Sequence, residues 1–582
     1  MEVLISVYLQ RKALFWSSVY VGGGLGIAAA KGWVGVPEPL RTYEKPLLAA
    51  GFAVFTVLVG LLTSLLTGRR YQSAAGSANG TAPTISYFLP YIGHLMSLLF
   101  GRTGWLVNIR DANNQNIFAL KLAGITHVLA GSIFSAEKLE EDNADSADDQ
   151  ELASSMRKNA FGFNDDPLSG EFYNLIFTQE HAKSLANKAV VLIRENVPDL
   201  MTFNESQVDQ LPWERVSMTT TVEVQGGTTY SEANMLPLTR EFVGQIMNAA
   251  YAGVSFLDDH PTFHESMLAL EKNFYIMATG LPRWAPWPGL PAGHIGRRSL
   301  LRQMAALRES WEREMLGEDV ITTATDIGDF SAAYTASQQI MDGSGVSPTA
   351  RACTDLSIVW ALNASARDLV FWMLLHVVAE PGLADRIRDE TRPYCRVQQP
   401  TNDFNLPEPP RLDIDMDGLA DKCALLNSCF METARMYNTA WSVKQARQNF
   451  SMADESAGMA STYHVKKGDH VDVSNKLLNT DIGAYYEPKK WKPSRFVNRS
   501  GKADWGHVKH NNGMWRMNGT GEFARRLAAA TVASVLAVWN FEPASKTGLW
   551  MVPGSKEAPL TARPAGDVRV KITRRDLEQK QG

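Results

Sequence analysis

FMETARMYNTA, Phe430 to Ala440, closes a stretch of helical spacing that begins near Leu419. Within it Glu432 and Arg435 stand at i and i+3, on one face of a helix. A solvated pair at that spacing contributes only about 0.5 kcal/mol, so its meaning depends on the residues C-terminal to it. Further along come WKPSRFV, Trp491 to Val497, and then a glycine-containing segment running straight into GEFARRLAAATVASVLAVW, Gly521 to Trp539. An acid-base helix, an arginine-bearing proline segment and a loop feeding a long apolar helix form one ordered series.

Helical patterns dominate around this series. Glu265 to Met277, Arg297 to Met315, Ala350 to Glu380, Leu419 to Tyr437 and Glu522 to Trp539 carry apolar residues at three- and four-residue spacing. Strand-like alternation is confined to short pieces such as Ile117 to Leu122 and His464 to Val473, the latter turning at Lys467-Gly468-Asp469. The expected class is mainly α with small sheets. No fixed-period repeat is present, which argues against solenoids and propellers. Glu140 to Glu151 (EEDNADSADDQE) concentrates negative charge and reads as a solvated loop.

With 45% hydrophobic and 20% charged residues, the 582-residue chain has the composition of a folded protein with a sizeable core. A formal charge of -5 gives no electrostatic reason to expect nucleic acid. Cys353, Cys395, Cys423 and Cys429 lack the paired spacing of zinc or redox motifs, and no metal site is expected from them. So few cysteines in a chain of this size fit a reducing, cytosol-facing compartment.

From Pro46 to Gly68 the chain runs without a charge, and about 20 helical residues cross a bilayer. Arg69 and Arg70 follow at once, which places the remainder in the cytosol. Leu14 to Ala30 is also uncharged but carries Gly22, Gly23 and Gly24; it is a second span or an interfacial helix. The expected organisation is an anchor over 1–70 with its helix at 46–68, a linker over 71–84 that includes the small, polar Ser73 to Pro83, and a folded domain over 85–582.

In order and spacing, the Glu432/Arg435 helix, the Trp491 to Val497 segment and the loop before Gly521 resemble the C-terminal half of a cytochrome P450. Pro83 to Leu95 (PTISYFLPYIGHL) is similar to that family's proline-rich hinge, and Leu281 to Gly289 (LPRWAPWPG) resembles a segment of fungal biosynthetic members. Asp355 to Pro381 resembles the long helix crossing the distal haem face. The resemblance implies a cytochrome P450 fold behind the anchor, an endoplasmic-reticulum location, a hydrophobic small-molecule substrate from specialised metabolism, and a buried network of Glu432 and Arg435 with Arg495.

The haem loop departs from the family pattern. It reads NNGMWRMNGTGEFARRLA, and counting back from Phe523-Ala524 places Asn518 where the haem-ligating cysteine belongs, with Arg516 nearby on the cofactor side. A thiolate's electron donation favours O–O cleavage, whereas an asparagine amide is a weak neutral ligand. Thr520 and Gly521 replace the family's glycine and arginine. On the distal helix the proton-delivery pair is represented by Ser365 and Ala366, followed by Arg367 and Asp368. His507 and His510 are the alternative imidazole ligands.

Loss of both features favours a non-oxidative enzyme with no cofactor: a cyclase, isomerase or dehydratase that holds a hydrophobic intermediate while Ser365, Arg367 or Asp368 polarises it or moves a proton. The alternatives are a haem monooxygenase with an atypical ligand or a misjoined exon around Gly513 to Gly521, requiring an NADPH reductase, and a non-catalytic membrane-bound partner.

Overall fold

The computed structural model describes residues 44–75, 79–90, 92–113, 115–143, 145–163, 175–176, 178–223, 229–316, 330–343, 345–400, 408–456, 459–504, 519–545 and 547–576. Leu14 to Ala30 lies outside them. The chain is mainly helical with small sheets, and it divides into two compact units.

The first unit draws on Met1–Met156, Ala278–Gly280 and Trp441–Tyr486. It contains α1 (Glu44–Ala75), which spans the uncharged run and continues past it. Leu58, Leu61, Leu62, Leu65 and Leu66 on α1 are exposed, while Gly60 meets the ring of Phe88, leaving no room for a β-carbon. The stretch read as a linker ends in a short strand, Asn79–Thr81, paired in parallel with Met459–Val465.

A five-stranded sheet forms this unit's centre. It is built from β1 (Ile117–Leu122), β2 (Ile125–Ala130), β3 (Trp441–Ala446) and β4 (His470–Ser474), with Ala147–Asp148 at the edge, in the order β1-β2-β4-β3-edge. Because strand side chains alternate faces, Val128, Ala130, Val471 and Val473 join the apolar core while His127, His470 and Asp472 share the other face. Glu140 to Glu151 is more ordered than its charge suggests. Helix Ile133–Asn143 enters it, and Asp148 pairs with Gln445 and accepts from Arg447 at 2.6 and 2.8 Å.

In the second unit, four helices pack together: α2 (Gln179–Asn196), α3 (Met235–Ala252), α5 (Pro348–Ala379) and α7 (Gly519–Val538). Two further helices bear on the site: α4 (Phe263–Ala278), all but its last residue in this unit, and α6 (Ala424–Tyr437). Ser347 caps α5 by accepting from Ala350 N, Pro348 occupies its first turn, and Pro381 follows its end. Nearly every residue of α5 from Ala350 to Val377 is buried, its few charged and polar groups included, so all of its faces are packed. By length and composition α5 could cross a membrane, but its burial makes it a core helix of this unit.

The pattern over Leu419 to Tyr437 is two helices, Met416–Lys422 and α6, broken at Cys423. The break is made elsewhere in sequence: the Glu390 carboxylate accepts from Leu425 N at 2.7 Å and Leu426 N at 2.9 Å, capping the second helix.

Asp355, wholly buried on α5, accepts from Gln338 Nε2 at 2.8 Å through Oδ1, while Oδ2 has no partner. Burial pushes its carboxyl up to about 7 against the pull of Gln338 and Arg308. The folded chain therefore holds this proton more tightly than the unfolded chain, whose value is about 3.9. Asp355 should make stability fall as pH rises from about 4 to about 7, with no further change above. Asp355→Asn should remove that component, measured as urea midpoints across this range; an unchanged pH profile would refute the assignment.

Candidate functional site

Ser365, Arg367 and Asp368 lie in the middle of α5, and all three are buried. Ser365 turns its hydroxyl back to its own helix, donating to Leu362 O at 3.0 Å. Its carbonyl accepts from Thr561 Oγ1 at 3.2 Å. Successive helical residues point about 100° apart, so Arg367 and Asp368 reach different neighbours rather than each other. Arg367 donates to Glu271 on α4, whose second oxygen accepts from Arg563 Nη2 at 3.0 Å. Asp368 takes both forks of Arg240 from α3, with Nη2 to Oδ2 at 2.8 Å and Nε to Oδ1. Burial works against the charged form of Glu271, yet Arg367, Arg563 and Arg240 together outweigh it and hold its carboxyl below the usual value.

His264 adjoins this cluster. A β-carbon on Gly244 would lie 3.2 Å from its ring and 3.4 Å from Arg367 Cδ. Burial, aided by the Arg367 charge and opposed by Glu241, lowers its pKa. Neither ring nitrogen has a hydrogen-bond partner. His264 also lines a cavity of about 330 Å³ bounded by Trp213, Glu241, Ile246 and His260. The site thus offers a neutral imidazole at the wall of a cavity, backed by fixed charges.

Arg240, Glu271 and Arg563 were not singled out from the sequence. A signal existed for Glu271, which falls among Phe263, Met267, Leu270, Phe274 and Met277, the buried stripe of α4. A carboxylate on such a stripe demands a cation. Arg240 and Arg563 carried no comparable mark.

Asn518 and Arg516 lie outside the described residues, as do His507 and His510. The helix after them is firmly held. Glu522 accepts from Arg525 at 2.7 and 3.0 Å and from Arg526 at 2.6 Å. Arg525 also donates to Ala420 O and to Asn427 Oδ1 on α6, at 2.7 and 2.8 Å.

Glu432 is fully buried on α6 and receives two guanidinium groups. Arg435 donates to it at 2.7 and 2.9 Å, and Arg495 Nε lies 2.9 Å from both of its oxygens. Removing this carboxylate leaves one buried and one half-buried cation uncompensated. Glu432→Ala should therefore cost roughly 3–5 kcal/mol of stability. Its signature is a lowered urea midpoint or loss of folded protein; a loss below about 1 kcal/mol would show the network to be dispensable.

No family model matches the chain. A cytochrome P450 monooxygenase of Hormonema carpetanum is 23% identical over 444 residues, which covers 74% of each chain. A cytochrome P450 monooxygenase of Penicillium oxalicum is 24% identical over 155 residues, 27% of this chain and 29% of the relative. Cytochrome P450 7A1 of Rattus norvegicus is 24% identical over 153 residues, 26% of this chain and 29% of the relative.

These relatives overturn the expectation that no cofactor is favoured, because cytochromes P450 are haem-dependent enzymes. The cysteines of this chain do not fit the group's usual ligand, however. Burial raises the thiol pKa of Cys353 and Cys395 to about 11 and that of Cys423 to about 12, and raises Cys429 further still. All four are core thiols, and the last of them, Cys429, lies on α6, so no cysteine stands in the segment entering α7 where the resemblance places the haem ligand. Similarity to haem monooxygenases, carried over 74% of one relative's length at 23% identity, together with a mainly helical fold with small sheets, supports membership of the cytochrome P450 superfamily.

Proposed function

We propose that the chain is an enzyme of specialised-metabolite biosynthesis that binds a hydrophobic small molecule and converts it without net oxidation, by cyclisation, isomerisation or dehydration. The observation that carries this reading is that no cysteine follows Cys429, so the segment entering α7 offers Asn518 where a thiolate would be needed for oxygen activation. Holding a flexible polyene or terpenoid in one reactive shape lowers the entropic part of its barrier without an electron donor. Ser365 is the group in this reading that meets the substrate. Arg367 and Asp368, each locked to a partner on another helix, position α5 rather than react.

A second reading is monooxygenation with an NADPH reductase, and the activity named for the relatives favours it. Purified full-length protein, grown with excess haem precursor, separates the two. The first predicts no thiolate-type band on reduction with carbon monoxide, and product from candidate terpenoid intermediates without NADPH or reductase. Such a band, or oxygenated product that requires NADPH, would establish the second. Folded protein with no turnover under either condition would leave a non-catalytic partner.

We infer further that residues 1–70 anchor the chain, with α1 crossing an endoplasmic-reticulum membrane once and the catalytic part facing the cytosol, or with Leu14 to Ala30 as a second span. The row of exposed leucines from Leu58 to Leu66, followed by Arg69 and Arg70, supports this. Deleting residues 1–70 should release the chain from carbonate-washed microsomes; retention of the truncated chain would refute the anchor.

A further inference from the structure

His127 on β2 and His470 on β4 are direct partners in a parallel strand pair, and Asp472 lies two residues beyond His470 on the same face. All three are buried, at 1%, 1% and 0% exposure. Their ligand-capable atoms all lie within 4.8 Å of one another. His127 Nδ1 and Asp472 Oδ2 are 2.9 Å apart, and the two imidazole centroids are separated by 4.6 Å. Within the first unit this is a two-imidazole, one-carboxylate constellation fixed by the central strands of a sheet.

We propose that His127, His470 and Asp472 bind one zinc ion that staples β2 to β4. Hydrogen bonding leaves this cluster unfinished: Asp472 Oδ1 is buried without a partner, and so is Ser474 Oγ, two residues further along the same face. A buried acceptor without a partner is costly, and a cation satisfies it directly. The donor set selects the ion. Two nitrogens and one carboxylate suit zinc and disfavour magnesium or calcium, which take oxygen ligands.

Ligand distances of about 2.0–2.2 Å place the coordinating atoms of a tetrahedral site somewhat over 3 Å apart, so small side-chain rotations bring this cluster into range. On binding, the ion takes the place of the hydrogen bond between His127 Nδ1 and Asp472 Oδ2. A bound water fills the fourth position and donates to Ser474 Oγ. The site is structural, since all three ligands are buried in the sheet, and zinc enters as the sheet forms.

The test is elemental analysis of the full-length, detergent-solubilised chain expressed with added zinc, counting zinc separately from iron. About one zinc per chain is expected, surviving EDTA under native conditions and released on denaturation. His470→Ala should reduce zinc at least tenfold. If that variant does not fold, zinc X-ray absorption of the unaltered protein decides, with imidazole scattering at about 2.0 Å expected. Zinc below about a tenth per chain, full zinc in folded His470→Ala, zinc stripped by native EDTA, or a spectrum without imidazole would each overturn the proposal.

Discussion

A single carboxylate, Glu432, organises residues 487–497. Two guanidinium groups neutralise it, and Lys492 N donates to it at 3.0 Å. The same two arginines then hold backbone: Arg435 reaches Pro488 O at 2.9 Å, while Arg495 reaches Glu487 O and Lys490 O at 3.2 and 3.1 Å. Neighbouring positions on α6 extend the attachment, with Thr433 accepting from Trp491 Nε1 and Ser428 from Phe496 N. Residues 487–497 have little regular structure of their own, so one helix face sets their course. A buried ion pair is a poor source of net stability, but it strongly penalises any other arrangement once formed.

The same logic recurs in the middle of α5. Arg367 and Asp368 look like an exposed pair in a linear reading, because adjacent opposite charges usually are. Here each crosses to another helix, and Glu271 balances Arg367 together with Arg563. Three arginines and two carboxylates thereby fix the relative rotation of α3, α4 and α5, which apolar packing alone specifies loosely. The cavity beside His264 is bounded by helices whose faces are set in this way.

Much of the fold was legible from spacing. The helices at Phe263–Ala278, Pro348–Ala379 and Gly519–Val538 follow their apolar periodicity closely, because burial of one face, or of all faces for α5, leaves a regular imprint. The turn at Lys467-Gly468-Asp469 was equally plain, since Gly468 adopts a positive φ between two strands. What spacing could not show was set by distant residues. The break at Cys423 depends on Glu390, and the order in Glu140 to Glu151 depends on Gln445 and Arg447. At the candidate site, the acid-base motif and the α5 residues were visible as local patterns, but their partners were not. Contacts between residues far apart in sequence leave no local periodicity.

The pairing of β4 with β2 carries a consequence for how this protein is made. His127 and Asp472 are separated by 345 positions, and β4 lies between β2 and β3. On the ribosome, therefore, β2 must wait with an open hydrogen-bonding edge while more than half of the chain is still being added. Vectorial synthesis leaves that edge exposed to intermolecular pairing until Ser474 has emerged. Any pause or truncation before that point yields a chain whose first sheet lacks its middle strand, a species destined for chaperone capture or aggregation.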